Sequence, residues 1–149
     1  MTLPPCLKSG FDADGHFSPL KIFSSEEAAQ VYQDYRQYVA RFGTEGRLEG
    51  DWRFRVHLVA GWAERIVSHP VLVAAARTVL ESDNILAWSS DLCIKPPVSQ
   101  GEFCWHQDST YSGLEPSDRL VTAWLALTPS NYNSGCLSVI SGSQVRVEH

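Results

Sequence analysis

Basic residues are scarce in this chain. Its 12 Lys and Arg stand against 17 Asp and Glu, a formal charge of -5, so it carries no basic footprint for a phosphate backbone and no nucleic-acid partner is expected. Long apolar runs are missing as well: no stretch approaches the roughly 20 residues of a membrane span, so no membrane association is expected. Where a secretory signal needs a basic flank and an apolar run, residues 1 to 15 carry Pro4, Pro5, Asp12 and Asp14, which points to a soluble, cytoplasmic protein. The four cysteines, Cys6, Cys93, Cys104 and Cys136, show no C-x-x-C spacing, which argues against a thiolate zinc site and for buried, reduced thiols. A Gly-rich phosphate loop and a G-x-S-x-G elbow are absent, removing the main support for kinase and hydrolase readings. Internal repeats and linkers are absent too, and 149 residues with 44% hydrophobic content suit one domain with a real core.

What is present changes its period near residue 84. Ser24 followed by Glu27 forms a capping-box pattern, and Ala28, Val31, Tyr35, Tyr38 or Val39, and Phe42 recur at helical spacing up to Gly43. This predicts a helix over 25–42. A short helix is expected over 58–67, and Pro70 opens another running to about Glu81, with Leu72, Ala75, Ala76 and Val79 on one face. From Ile85 onward the residues are those of strands: 85–95, 102–108, 120–127 and 136–140, with turn signals between them and no helix interposed. The expected fold is therefore α+β, helical over 1–84 and mainly strands over 85–149, the latter a partial jelly roll of about four strands where a full one has about eight.

The densest chemistry is Trp105-His106-Gln107-Asp108. In an extended strand alternate residues share a side at about 3.3 Å rise per residue, so His106 and Asp108 would point together. An imidazole and a carboxylate can share one metal ion, and one further histidine would complete the facial triad of non-haem iron(II) oxygenases. Taken alone, H-x-D is a weak signal, and an exposed His and Asp near a strand end is the plain alternative.

The wider context is more specific. Trp105-His106-Gln107-Asp108 with Ser109-Thr110-Tyr111, then Thr122-Ala123-Trp124-Leu125-Ala126-Leu127, then Asn133-Ser134-Gly135-Cys136-Leu137 and the Gly142-Ser143 turn, resemble the phytanoyl-CoA dioxygenase family in order and spacing. Asp14-Gly15-His16-Phe17 and Ser24-Ser25-Glu26-Glu27 are similar to its N-terminal helical region. The resemblance implies an Fe(II)- and 2-oxoglutarate-dependent oxygenase on a double-stranded β-helix, a cupin-like jelly roll, acting on a small-molecule substrate. His106 and Asp108 match the first two metal ligands. Trp124, eighteen residues after His106, matches an aromatic bordering the cosubstrate, with a core tryptophan as the alternative. Lys95 stands where related members carry a cosubstrate-contacting lysine, with a solvated strand-end lysine as the alternative, and Arg55 is a further cationic candidate for a dicarboxylate. Asp108 favours hydroxylation over halogenation, because halogenating members replace this carboxylate with a small residue.

The chain also departs from the family pattern. The third ligand is a histidine far downstream, followed by an arginine for the distal carboxylate of 2-oxoglutarate. Here His149 is the one histidine after Asp108, with Arg146 ahead of it, and Gln144 stands where the Gly-Ser turn usually continues with histidine. The resemblance thus implies the N-terminal part, or a truncated product, of such a dioxygenase, self-associating through exposed strand edges. A non-catalytic binding or regulatory module of the same fold, pairing through an exposed strand, is the rival. A metalloprotein closed by His149 is the third reading. His16, His57 and His69 receive structural readings, His69 as a helix cap before Pro70.

Overall fold

A computed structural model of the chain describes residues 2–44, 48, 50–99, 101 and 103–145. A helix that the periodicity does not announce comes first: α1, Leu7–Asp14. Leu7 is its buried residue, and Gly15 ends it in the left-handed region (φ 74°), its N–H returning to the Phe11 carbonyl at 2.7 Å. The longest helix, α2, spans Ser25–Phe42 and coincides with the expected bounds. Its capping box is closed on both sides: the Glu27 N–H donates to Ser24 Oγ at 3.2 Å, and the Ser24 N–H donates to Glu27 Oε2 at 2.7 Å. Val31, Tyr38 and Val39 form its buried face, with Tyr35 and Phe42 beside them.

Two 3₁₀ turns, Gly50–Arg53 and Val56–Leu58, lead into α3, Gly61–Val67. This helix begins later than expected because Ala60 is extended, so the run from Leu58 is broken. Pro70 occupies the first turn of α4, Pro70–Leu80, which Glu81 terminates in the left-handed region. His69 sits at its N-cap but makes no capping bond; its ring instead meets Phe23 edge-on at 5.0 Å. The core gathers Val31, Tyr38, Val39, Leu48, Val56, Ala60, Trp62 and Ala63. Tyr38 fixes its centre, with its ring 5.9 Å from that of Trp62 and its hydroxyl donating to the Trp52 carbonyl at 2.8 Å. Burial pushes its phenol above the ordinary tyrosine range.

The second half differs from the expectation. Among the described residues there is no β-strand beyond a single bridge at Thr44, so the α+β partial jelly roll is replaced by helices and loops. The reason lies in what a strand is. Residues 91–95 do alternate: Leu92 and Ile94 pack against the helical core while Asp91, Cys93 and Lys95 are exposed. A strand also needs a neighbour about 4.8 Å away to complete its ladder. The run 90–92 finds only a partner in the 3₁₀ region, through Val56 N–H to Ser90 O at 3.0 Å and Leu92 N–H to Arg53 O at 2.9 Å. Past residue 99 the described backbone bonds are local turns, apart from Gly142 N–H to Asp14 O at 2.9 Å. Segments 120–127 and 136–140 are irregular, and 103–108 runs into one helical turn, α5, Ser109–Ser112; Glu102, the start of that expected strand, lies outside the described residues.

The cysteines are also corrected: all four are unpaired, but Cys6, Cys93 and Cys104 are exposed rather than buried. No described helix is long and apolar enough to cross a membrane.

Candidate functional site

His106 and Asp108 meet, although not as alternate residues of a strand. The chain bends between them and Asp108 already has helical backbone angles at the start of α5. His106 Nε2 lies 3.1 Å from Asp108 Oδ1. On the other side of the imidazole, Nδ1 lies 2.7 Å from the Cys104 carbonyl oxygen, which can only accept, so Nδ1 carries the proton and donates it there. That leaves Nε2 facing a carboxylate oxygen. A proton on Nε2 or a metal ion can bridge the two atoms.

The spacing suits a metal. Two adjacent ligands of an octahedral ion, each at about 2.1 Å, stand about 3.0 Å apart, and the observed separation is 3.1 Å. The outer atoms are tied as well, His106 Nδ1 by Cys104 and Asp108 Oδ2 by the Thr122 hydroxyl, which is the outer-shell support that metal ligands need. Tyr111, from α5, places its ring edge-on to His106 at 5.6 Å. Both side chains are partly open to solvent, which would leave room for exchangeable ligands on a bound ion. Among the described residues no group of three His, Cys, Asp or Glu side chains forms; His149 and Arg146 lie outside the described residues.

The cosubstrate candidates are less tightly placed. Lys95 lays its ammonium against Gly135, so closely that a Cβ there would come within 2.4 Å of Nζ. No described hydrogen bond or ion pair joins Lys95 to His106 or Asp108. Trp124 is 48% exposed, two residues beyond Thr122, and is therefore not a core tryptophan. Arg55 stacks its guanidinium on Trp88 at 5.2 Å and borders an open cavity of about 540 Å³ with Asp51, Phe54 and Ser89. His57 serves structure, with Nδ1 2.7 Å from Ser90 Oγ. His16 Nδ1 lies near the Asp14 carbonyl. Thr122 belongs to the Thr-Ala-Trp motif, but its partnership with Asp108 spans 14 residues and no local pattern announces it.

His106 and Asp108, brought together in this way, form the candidate site of the chain. The family model described as phytanoyl-CoA dioxygenase matches residues 11–149, and the chain belongs to that family. The ectoine dioxygenase of Bordetella bronchiseptica is 28% identical over 145 residues, covering 89% of this chain and 47% of the relative. The human peroxisomal phytanoyl-CoA dioxygenase is 40% identical over 63 residues, covering 40% of this chain and 19% of the relative. The mouse phytanoyl-CoA dioxygenase domain-containing protein 1 is 32% identical over 82 residues, covering 55% of this chain and 28% of the relative. The chain spans about half the length of the ectoine dioxygenases it matches. No solved structure matches it.

Proposed function

We propose that the protein acts as a non-haem Fe(II)- and 2-oxoglutarate-dependent dioxygenase that hydroxylates a small organic substrate, with His106 and Asp108 as metal ligands. The observation that carries this reading is the 3.1 Å approach of His106 Nε2 to Asp108 Oδ1, with the far atom of each side chain already hydrogen-bonded. Bound there, Fe(II) with 2-oxoglutarate would supply the oxidising power for an unactivated C–H bond. The chain's own part is geometric: His106 offers one lone pair, Asp108 keeps a carboxylate in the position whose loss would admit a halide, and Trp124 offers an apolar wall. Lys95 or Arg55 would neutralise the cosubstrate carboxylates. The relatives are named for ectoine and phytanoyl-CoA, molecules of different chemistry, so the proposal stops at a small organic substrate.

The rival is a non-catalytic module of the same family, in which the His106–Asp108 pair is only a hydrogen-bonded pair. Anaerobic titration of the full chain with Fe(II) and 2-oxoglutarate separates the two. The dioxygenase reading expects a saturable visible charge-transfer band that requires both additions and disappears in His106→Ala and Asp108→Ala. A well-folded chain that gives no such band would favour the module.

A further inference from the structure

We propose that Thr122 is a positioning residue that decides which oxygen of Asp108 faces the metal, an inference that rests on reading His106 and Asp108 as ligands. An aspartate carboxylate offers two equivalent oxygens and turns easily about its last torsion. In an exposed site such as this one, nothing in the ligand itself selects one of them. Here the Thr122 hydroxyl donates to Oδ2 at 2.5 Å. An ionised carboxylate can only accept, so the direction of this bond is fixed, and it leaves Oδ1 toward His106 Nε2.

Threonine suits the role for two reasons. Its β-branched side chain is stiff at χ1, so its hydroxyl is delivered in a narrow range of directions. Its segment is also anchored, because Leu127, five residues on, packs against the helical core. The hydrogen bond therefore refers the carboxylate to the folded core and not only to its own loop. The Cys104 carbonyl orients the imidazole through Nδ1 from within the same loop. One ligand is oriented by backbone and the other by a side chain, and only the second can be removed by substitution.

The test uses Co(II) as the probe, bound to the full chain and read by calorimetry and by its visible ligand-field spectrum. Thr122 is exposed, so valine, of the same shape without the hydroxyl, leaves the fold in place. Thr122→Val is expected to weaken Co(II) binding by about 10- to 100-fold and to alter the spectrum, while Thr122→Ser stays within a few-fold of the unaltered chain. A Thr122→Val variant that binds Co(II) with unchanged affinity and spectrum overturns the inference. So does a serine variant as weak as the valine one, since that would trace the effect to packing. If the unaltered chain binds no Co(II), the assignment of His106 and Asp108 fails and the inference about Thr122 fails with it.

Discussion

Gln144 donates its side-chain amide to the Asp12 carbonyl at 2.9 Å, across 132 residues of sequence. The same turn sends Gly142 N–H to Asp14 O and takes the Gln107 amide on the Ser143 carbonyl. The end of α1 is thus linked to the residue between the two proposed ligands. The glutamine that stands in place of the family's histidine thereby acquires a structural role. Gly15 is what allows the approach: it has φ 74°, and a Cβ there would fall 2.4 Å from Gln144 Oε1. Gly15→Ala is expected to cost about 1–3 kcal/mol, or roughly 2–4 °C in Tm for each kcal/mol. Gln144→Ala alone should cost about 0.5–1.5 kcal/mol. Because it also removes the clash, the two changes together should cost less than their sum, which a double-mutant cycle in urea would show.

The core gives a second expectation. Val56 is 1% exposed, and its backbone N–H holds Ser90 of the extended run. Removing two methyl groups there in Val56→Ala should cost about 2 kcal/mol from lost burial and the cavity left behind. Leu86, 83% exposed, serves as the control, with Leu86→Ala expected within about 0.5 kcal/mol of the unaltered chain. Equal losses at the two positions would show that the core lies elsewhere.

These energetics follow the division between what is local and what is not. α2 was legible because Ser24, Glu27 and a five-position apolar stripe all lie within one helix, and α4 because Pro70 marks its start. α1 was not read, although Gly15 stood at its end, since eight residues carry too little periodicity to count. The strand-like residues up to the Pro96-Pro97 breaker marked an extended run over 85–95, of which Leu92 and Ile94 turn out to face the core. They could not supply a partner, because pairing is a relation between distant segments. The expectation that His106 and Asp108 point together rested on a strand, whereas they meet through a bend into α5, with Thr122 holding Asp108 from outside the motif.

The capping box predicts a response to acid. Hydrogen bonds from the Ser24 backbone N–H and side chain hold the Glu27 carboxyl below its ordinary value of 4.5. A carboxyl depressed in the folded state stabilises the fold above the unfolded value, and that contribution is lost as pH falls through the lowered folded value. Glutamine can make the same box without titrating. Glu27→Gln should therefore be less stable than the unaltered chain at neutral pH, with the difference closing below pH 4.5 in urea melts taken across the acid range. A difference that stays constant with pH would remove the charge from the account of this cap.

Self-association is expected from side chains, because strand edges are not seen among the described residues. Most of the large apolar side chains left exposed fall after residue 85, among them Trp105 and the near-continuous run Leu137, Val139 and Ile140. Monomeric proteins seldom leave contiguous apolar patches of more than a few hundred Å² in water. Sedimentation velocity should thus show a coefficient that rises with protein concentration. The double variant Leu137→Glu, Ile140→Lys should shift the chain toward monomer, and because both side chains are already exposed it should do so at a stability cost near zero. An unaltered chain that stays monomeric at every concentration would mean that these side chains are too dispersed to act as one surface, and that the apolar content of this half is tolerated singly.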